Sequence, residues 1–192
     1  MPYPAQTDYE TIVQTALLLI EREGSEQLSL TLIAAALGIK PPSLYRYIPS
    51  KDALLRAVNA RSFEQLNAAY GAALADTEQL PQAQLRAICR AHRAFAHAHP
   101  RAYTLAMTTR ADQQRPDQHS LEQIALPIQA LMAELAGAEQ ALVALRGLFA
   151  LIHGFVMLEL HDQLRRGGDL EATFEAVVEA YVAGWSAGRA GS

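Results

Sequence analysis

The chain has 192 residues, of which 51% are hydrophobic and 19% are charged, and its formal net charge is −4. The high apolar content excludes an intrinsically disordered chain, and the single cysteine excludes a disulfide scaffold. The negative net charge excludes a polybasic protein that coats nucleic acid, so any nucleic-acid site must be a small, locally basic surface.

Three features indicate a soluble cytoplasmic protein. Residues 1–7 lack the basic and apolar regions of a signal peptide. The longest apolar stretch, residues 148–160, is interrupted by His153 and Glu159 and is too short to span a bilayer. The lone Cys89 cannot form a disulfide within the chain, which fits a reducing compartment. We therefore expect no association with a membrane.

The order of the residues predicts an all-α protein of about nine helices. Alanine and leucine dominate, β-branched residues are scattered, and the alternating pattern of a strand is absent. Thr7 and Glu10 indicate a capping box at the start of the first helix, and Gly24 ends that helix. The apolar stripe of this helix is Ile12, Val13, Ala16, Leu17 and Ile20, and the second helix is expected to bury Leu32, Ile33 and Ala36. The predicted helices span about 8–24, 29–37, 41–48, 50–74, 82–98, 100–110, 118–136, 138–166 and 169–187.

Two residues inside the predicted helices are unusual. Pro127 predicts a kink or two abutting helices. Gly154 costs about 1 kcal/mol relative to alanine in mid-helix, which indicates a close approach by another helix or by a ligand. Gly167 and Gly168 are expected to end the longest helix, and Ser50 and Asp169 to cap the fourth and the last helix.

Residues 29–48 have the outline of a helix-turn-helix motif. Three small residues, Ala34 to Ala36, allow the two short helices to cross closely, and Gly38 makes the turn. Ile39, Leu44 and Ile48 would anchor the second helix to the core. The residues left for its other faces are Lys40, Pro41, Pro42, Ser43, Tyr45, Arg46 and Tyr47. The start of such a helix reaches base edges in the major groove of DNA.

These side chains suit DNA. The proline rings can contact a thymine methyl group, Ser43 can bond to a base edge or a phosphate, and the tyrosine hydroxyls suit phosphates. Lys51 begins the next helix, where a phosphate is also favoured. Residues 39–56 carry four cations (Lys40, Arg46, Lys51, Arg56) and one anion (Asp52), so 4 − 1 gives a local charge of +3. The competing interpretation is an ordinary pair of short helices, which many helical proteins contain.

Residues 11–58 resemble the N-terminal domain of the TetR/AcrR family of transcriptional regulators. The matching residues are Ala16, Leu17, Gly24, Leu32-Ile33-Ala34, Leu37-Gly38-Ile39 and the run from Ser43 to Leu55. The family usually has phenylalanine where Ile48 stands and often histidine where Tyr47 stands. Pro41 and Pro42 also differ from the small or polar residues that are commoner there, so the operator sequence cannot be transferred.

The resemblance implies a function for each part of the chain. Residues 1–50 would form a DNA-binding domain, with its helix-turn-helix motif at 29–48, and residues 51–192 would bind an effector and dimerise. Base-reading positions are Lys40, Pro41, Pro42 and Ser43, and phosphate-contacting positions are Tyr45, Tyr47 and Lys51. Ser29 and Thr31 stand where the family often makes additional DNA contacts, although Ser29 could equally cap its helix.

Residues 145–160 resemble one subclass of the family, in which an aromatic residue and a His-Gly pair (Trp-x-x-x-His-Gly, "WHG") precede Leu-Glu. Phe149, His153, Gly154, Leu158 and Glu159 occupy those positions. Candidate effector-binding residues are Cys89, His92, Phe95, Tyr103, Met107, Phe149, His153 and Met157, each of which could equally be ordinary core. Candidate residues of the dimer interface are Leu142, Leu145, Phe174, Val178, Tyr181 and Trp185.

We therefore expect a homodimeric, ligand-responsive regulator that binds double-stranded operator DNA, and we favour a repressor released by a small-molecule effector. The alternative is a helical ligand- or partner-binding protein of the same fold that has lost DNA binding. Activation in place of repression is also left open. No zinc-ligand spacing, phosphate-binding loop or nucleophile motif occurs, so we expect no enzyme, metal or cofactor.

Overall fold

The computed structural model describes residues 7–190, with side chains up to residue 187, and this part of the chain contains helices and no strand. The nine α-helices are α1 (Tyr9–Glu23), α2 (Leu30–Ala36), α3 (Pro41–Leu44), α4 (Lys51–Ala75), α5 (Pro81–Ala98), α6 (Pro100–Thr108), α7 (Gln118–Ala136), α8 (Ala141–Leu160) and α9 (Leu170–Ala190). A 3-10 turn, Asp112–Gln114, lies between α6 and α7. The all-α prediction is confirmed, whereas the expectation for residues 1–6 lies outside the described residues.

Short polar side chains begin several helices, because the first backbone N–H groups of a helix have no partner within it. Ser50 accepts a hydrogen bond from the Ala53 amide at 3.1 Å, and Asp169 accepts one from the Glu171 amide at 2.9 Å, as predicted. The predicted capping box at Thr7 is wrong. Asp8 is the N-cap of α1 and accepts from the Thr11 amide at 2.8 Å.

Two helices end earlier than the sequence predicts. α3 ends at Leu44, and residues 45–47 form a turn that leads to Pro49. α8 ends at Leu160, well before Gly167, because Asp162 adopts a left-handed conformation with φ of 52°. Aspartate tolerates this region better than most residues, and the Gln163 amide donates to the Leu158 carbonyl at 2.8 Å to close the helix.

Pro127 lies within a single continuous α7. No other helix approaches Gly154 closely, since apart from its own helix backbone nothing lies within 4 Å of the position its Cβ would take, and the approach of a ligand stays a prediction. The close approach by another helix occurs two turns earlier in α8, on nearly the same face, at Gly147. A Cβ there would collide with the hydroxyl of Tyr181 on α9, which donates a 2.8 Å hydrogen bond to the Ala144 carbonyl.

By packing, the chain divides into two compact units. Unit 1 comprises the described residues up to Glu64 together with His99–Ser120, and unit 2 comprises Gln65–Ala98 and the residues from Leu121 onward. Both α4 and α7 contribute residues to each unit. The functional boundary expected between residues 50 and 51 stays a prediction. The packing of unit 1 extends past this point to Glu64, within the continuous helix α4.

Unit 1 has an apolar core built on α1. The predicted stripe of Ile12, Val13, Ala16, Leu17 and Ile20 is buried. In α2 the buried residues are Ile33 and Ala34, whereas the predicted Ala36 is exposed and Leu32 only partly buried. The carboxylate of Glu21 accepts from the Ala102 amide at 2.7 Å, so a side chain of α1 caps α6.

Ion pairs join three helices of unit 2. Arg90 on α5 pairs with Glu175 on α9 at 2.6 Å, and Arg93 pairs with Glu159 on α8 at 2.8 Å. His97 also contacts Glu159, at 3.1 Å. Burial raises the pKa of the Glu159 carboxyl, but hydrogen bonds from Arg93 and His97 outweigh burial and hold it below its usual range.

The apolar segment in α8 is longer than the stretch of residues 148–160 that the sequence singles out. Its most apolar 18-residue stretch has a mean hydropathy of 2.0, so by length and composition alone this 20-residue helix could cross a membrane. The shorter stretch of residues 148–160 is part of this helix. Core helices of globular proteins meet the same two conditions. Only 33% of its most apolar 18-residue stretch is buried within the chain, which leaves apolar surface exposed.

Candidate nucleic-acid interface

The helix-turn-helix segment in unit 1 is held by three apolar anchors. Leu44 and Ile48 are 0% and 1% exposed, and Ile39 packs against the same core. Gly38 has a φ of +66° between α2 and α3, a backbone conformation that side chains with a Cβ rarely adopt. The anchors and the turn together fix which side of α3 faces outward.

The side chains predicted to contact DNA lie on the surface of this segment. Tyr45 and Tyr47 are 55% and 36% exposed, and Lys51 stands exposed at the first position of α4. Ser29, Thr31, Lys40 and Pro42 are exposed, and Pro41 and Ser43 are partly buried. Ser29 does cap α2, since it accepts from the Leu32 amide at 3.1 Å, which leaves its contact with DNA a prediction.

The cations around α3 have no acidic partner within the described part of unit 1, whereas three arginines elsewhere in the unit do. Elsewhere, Arg22 pairs with Glu23, Arg61 with Glu10 and Glu64, and Arg115 with Asp112. Within the described part of unit 1, Lys40, Arg46 and Lys51 form no ion pair. The guanidinium of Arg46 lies 5.9 Å from the ring centroid of Tyr47. Positive charge is therefore left uncompensated on this surface, which is the condition for attracting phosphates.

The segment between α6 and α7 is tied to α4 by side chains that the sequence analysis missed. Arg56 Nε donates to the Gln113 carbonyl at 2.7 Å, and Gln114 Nε2 donates to Asp52 Oδ1 at 2.8 Å. Asn59, fully buried, donates to the Gln114 carbonyl at 2.8 Å. A polar residue within an apolar stretch of α4 was the only signal in the sequence. These bonds hold residues 113–114 against the first half of α4.

The eight predicted effector-binding residues fall into both units. Cys89, His92, Phe95, Phe149, His153 and Met157 are in unit 2, and Tyr103 and Met107 are in unit 1. Cys89, His92, Phe95 and Tyr103 are buried, and the other four are partly buried. Burial, and less strongly the charge of Glu175, raises the pKa of the Cys89 thiol to about 12, so this thiol is no nucleophile at neutral pH.

Sequence reasoning also missed a partner of His92. The hydroxyl of Tyr70, on α4, lies 2.5 Å from His92 Nδ1 within unit 2. Burial lowers the pKa of His153 as well as that of His92. Among the residues that the structure describes, no group of three or more His, Cys, Asp or Glu side chains could hold a metal ion.

The predicted interface residues of α8 and α9 differ in exposure. Leu142 is 42% exposed, and Tyr181 and Trp185 are partly buried. Leu145, Phe174 and Val178 are covered by residues of unit 2 and belong to its core, so they are not available on the surface. The exposed apolar side chains of α8 are Leu142, Val143 (56%) and Leu158 (39%), and the last two were not predicted.

Two family models match the chain. The model described as "Bacterial regulatory proteins, tetR family" matches residues 12–58, which include the helix-turn-helix segment. The model described as "Tetracyclin repressor-like, C-terminal domain" matches residues 85–181. The two models together cover most of both units.

The chain is also similar to individual proteins of known sequence or structure. A helix-turn-helix transcriptional regulator of Mycobacterium tuberculosis is 30% identical over 187 residues, covering 94% of this chain and 83% of that protein. A solved structure from Rhodococcus sp. RHA1, of unknown function, superposes with a TM-score of 0.82 at 21% identity, covering 96% of this chain and 100% of the other. A TetR variant of Acinetobacter baumannii AYE in complex with minocycline has a TM-score of 0.69 at 20% identity, covering 93% and 96%.

Proposed function

This chain belongs to the tetR family of bacterial transcriptional regulators, and from that premise we propose that it is a dimeric repressor released from its operator by a small-molecule effector. Members of this family are DNA-binding regulators that dimerise and bind small ligands, and they are typically cytoplasmic and non-enzymatic. The observation that carries the proposal is the surface at α3 and the start of α4, where cations without acidic partners and two exposed tyrosines surround the turn.

Each side chain on this surface has a proposed role. Lys40, Pro41, Pro42 and Ser43 begin α3 and would read base edges in the major groove. Tyr45, Tyr47 and Lys51 would hold phosphates, which set the position of α3 but carry no sequence information. Ser29 and Thr31 would add contacts from the start of α2.

Dimerisation follows from the same proposal. A two-fold operator presents its half-sites about 34 Å apart, so two copies of the chain are needed to place two α3 helices in successive major grooves. The exposed apolar surface of α8 at Leu142, Val143 and Leu158 supports an interface on this helix. A second copy would cover apolar surface that the single chain leaves in water.

Effector release is the second half of the proposal. An effector among the candidate residues of the C-terminal region would favour a dimer geometry in which the two α3 helices no longer match the half-sites. DNA and effector then oppose each other by a shared coupling free energy, typically about 1–3 kcal/mol. The minocycline in the Acinetobacter structure belongs to that protein, and at 20% identity its chemistry does not transfer to this chain.

The deciding experiment measures binding of the full chain to a duplex from the region flanking its own gene. We expect a sequence-preferring complex, and we expect the double variant Tyr45→Phe/Tyr47→Phe to weaken it by about tenfold or more, because each lost phosphate hydrogen bond contributes about 1 kcal/mol in each subunit. The rings remain, so the melting temperature should change little.

A duplex of the same length with a scrambled sequence is the control. Equal affinity for both duplexes, or an unchanged affinity of the double variant, would contradict the repressor proposal and favour a ligand-binding protein that has lost DNA binding. A thermal-shift screen of small molecules then identifies the effector, because a ligand that binds only the native state raises its melting temperature.

A further inference from the structure

An open cleft in unit 1 borders the proposed DNA-binding surface and, apart from Tyr47, is lined by residues with no role in the function proposed so far. Its volume is about 610 Å3, within the range of small-molecule sites in proteins. The first turn of α1 supplies Tyr9, and the turn after α3 supplies Tyr47. Pro49, Ala53 and Ala60 contribute accessible apolar surface to the lining. The cleft thus offers aromatic and apolar surface to a ligand, with both tyrosines partly open to solvent.

The charged residues of the cleft leave it with a net negative charge. Asp52 and Asp117 line it with two carboxylates, and Arg56 is the one cation among its lining residues, so −2 + 1 gives −1. The Arg56 guanidinium is already engaged with the Gln113 carbonyl at 2.7 Å. The charged residues that line the cleft therefore favour a cation by a small margin, and the neighbouring cations of the DNA-binding surface, Arg46 and Lys51, are not among them.

Both carboxylates keep acceptor capacity for a ligand. Asp52 Oδ1 accepts from Gln114, and Asp117 accepts from the amide and the hydroxyl of Ser120 at 3.0 and 2.9 Å. A carboxylate has about four lone-pair sites, so neither group is saturated. Hydrogen bonds from Ser120 also lower the pKa of Asp117, which keeps it ionised at neutral pH.

We propose that this cleft binds an organic monocation with an aromatic or apolar body, and that the bound cation prevents DNA from binding. Tyrosine ring faces attract cations, apolar lining accepts the body of the ligand, and the two carboxylates supply the charge preference. Exclusion of DNA rests on the proposed DNA-binding function. Tyr47 lines the cleft and is also a proposed phosphate contact, and Ser50, next to Lys51, lines it too.

This site differs from an effector pocket in the C-terminal region. A ligand in the cleft competes directly with a phosphate for Tyr47, so the apparent dissociation constant of DNA should rise in proportion to ligand concentration without a limit. An effector that acts through a second conformation produces a rise that levels off at the coupling factor, about 5- to 150-fold.

The test uses two ions of nearly equal size and shape, tetraphenylphosphonium and tetraphenylborate, in calorimetric titrations of the full chain without DNA. We expect the cation to bind and the anion to bind more weakly. The variant Asp52→Asn/Asp117→Asn should weaken the cation by about tenfold, since each carboxylate contributes roughly threefold at solvent-exposed distances. Asparagine keeps one acceptor oxygen, which suffices for the helix cap at Asp117 and for the bond from Gln114 to Asp52, so folding is preserved.

Glu78→Gln/Glu139→Gln is the matched control, because it removes the same total charge from two exposed positions of unit 2. Its affinity for the cation should equal that of the natural chain. If the cation does not bind, or if both double variants lose the same affinity for it, the proposal that this cleft binds a cation is overturned. If the apparent dissociation constant of DNA levels off as the concentration of the cation rises, direct exclusion is overturned. A chain that binds no DNA would overturn the proposed function together with the exclusion, while calorimetry decides the ligand site independently.

Discussion

His92 shows how burial decides the chemistry of a single residue. Its side chain is 1% exposed and lies beside the Tyr70 hydroxyl. Burial, and secondarily the charge of His153, lowers the pKa of His92 to about 3, whereas an imidazole in an unfolded chain titrates near 6.5. The neutral ring can accept a hydrogen bond from the Tyr70 hydroxyl at Nδ1, so this pair is a stable part of unit 2 at neutral pH.

The depressed pKa predicts a specific loss of stability in acid. Below about pH 6.5 the unfolded chain gains a proton at this residue that the folded chain refuses, so the free energy of unfolding falls as pH decreases toward about 3. The slope from His92 should approach about 1.4 kcal/mol per pH unit. Chemical denaturation of the natural chain and of His92→Gln at pH 7, 6, 5 and 4 measures it.

His92→Gln should be less stable at pH 7 and should show a flatter decline in acid. His161→Gln is the control, because this imidazole is exposed. If the His92 and His161 variants lose stability with the same pH dependence as the natural chain, burial of His92 does not contribute to acid sensitivity.

At the scale of one element, α8 combines two roles on different faces. Ala144, Leu148, Ile152 and Val156 are fully buried in unit 2. Leu142, Val143 and Leu158 are exposed on a helix whose most apolar 18-residue stretch has a mean hydropathy of 2.0. A helix that is apolar on more than its packed face is expected to be covered by a further partner.

The proposed interface predicts that a charge on the exposed face of α8 breaks the dimer. Val143→Glu should convert the protein to a monomer in sedimentation or light-scattering measurements, because a carboxylate would be desolvated at the interface without a partner. DNA affinity should fall with it, since each half-site would then be bound by one copy.

Leu18→Glu is a matched control, because Leu18 is an apolar residue of α1 that is 63% exposed. It introduces the same charge in unit 1 and should leave the association state unchanged. A Val143→Glu protein that stays dimeric at the concentrations at which the natural chain is dimeric would show that this face of α8 is not the interface.

At the scale of the whole molecule, the net charge of −4 conceals an uneven distribution. Several arginines form ion pairs within their own unit, as at Arg61–Glu10 and Arg93–Glu159. The cations at α3 and the start of α4 have no such partners in the described part of unit 1. A protein with this distribution has little general attraction for polyanions and depends on a few phosphate contacts per subunit.

The salt dependence of DNA binding reports the number of phosphate contacts. Replacing Lys51 by alanine should reduce the slope of log affinity against log salt by about 2 for a dimer, since each lost phosphate contact removes about 0.9. Arg166→Ala removes the same charge from an exposed position of unit 2 and should leave the slope nearly unchanged. Equal changes in slope would show that total charge, and not a contact at Lys51, controls binding.

Local patterns were sufficient to predict most of the helices and the helix-turn-helix segment. Apolar spacing in α1 identified the buried stripe from Ile12 to Ile20, and the residue types at Gly24, Ser50 and Asp169 located helix ends. These features depend on interactions between residues a few positions apart, which the order of the residues contains directly.

The features that were missed depend on backbone conformation or on residues distant in sequence. The short α3 and the early end of α8 at Asp162 follow from backbone conformations that several residue types can adopt. The contacts between Asn59 and Gln114 and between Tyr70 and His92 join positions that no periodicity relates. Which apolar side chains of α8 stay exposed was likewise decided only when the other helices packed against it, because burial is a property of the assembled core and not of one helix.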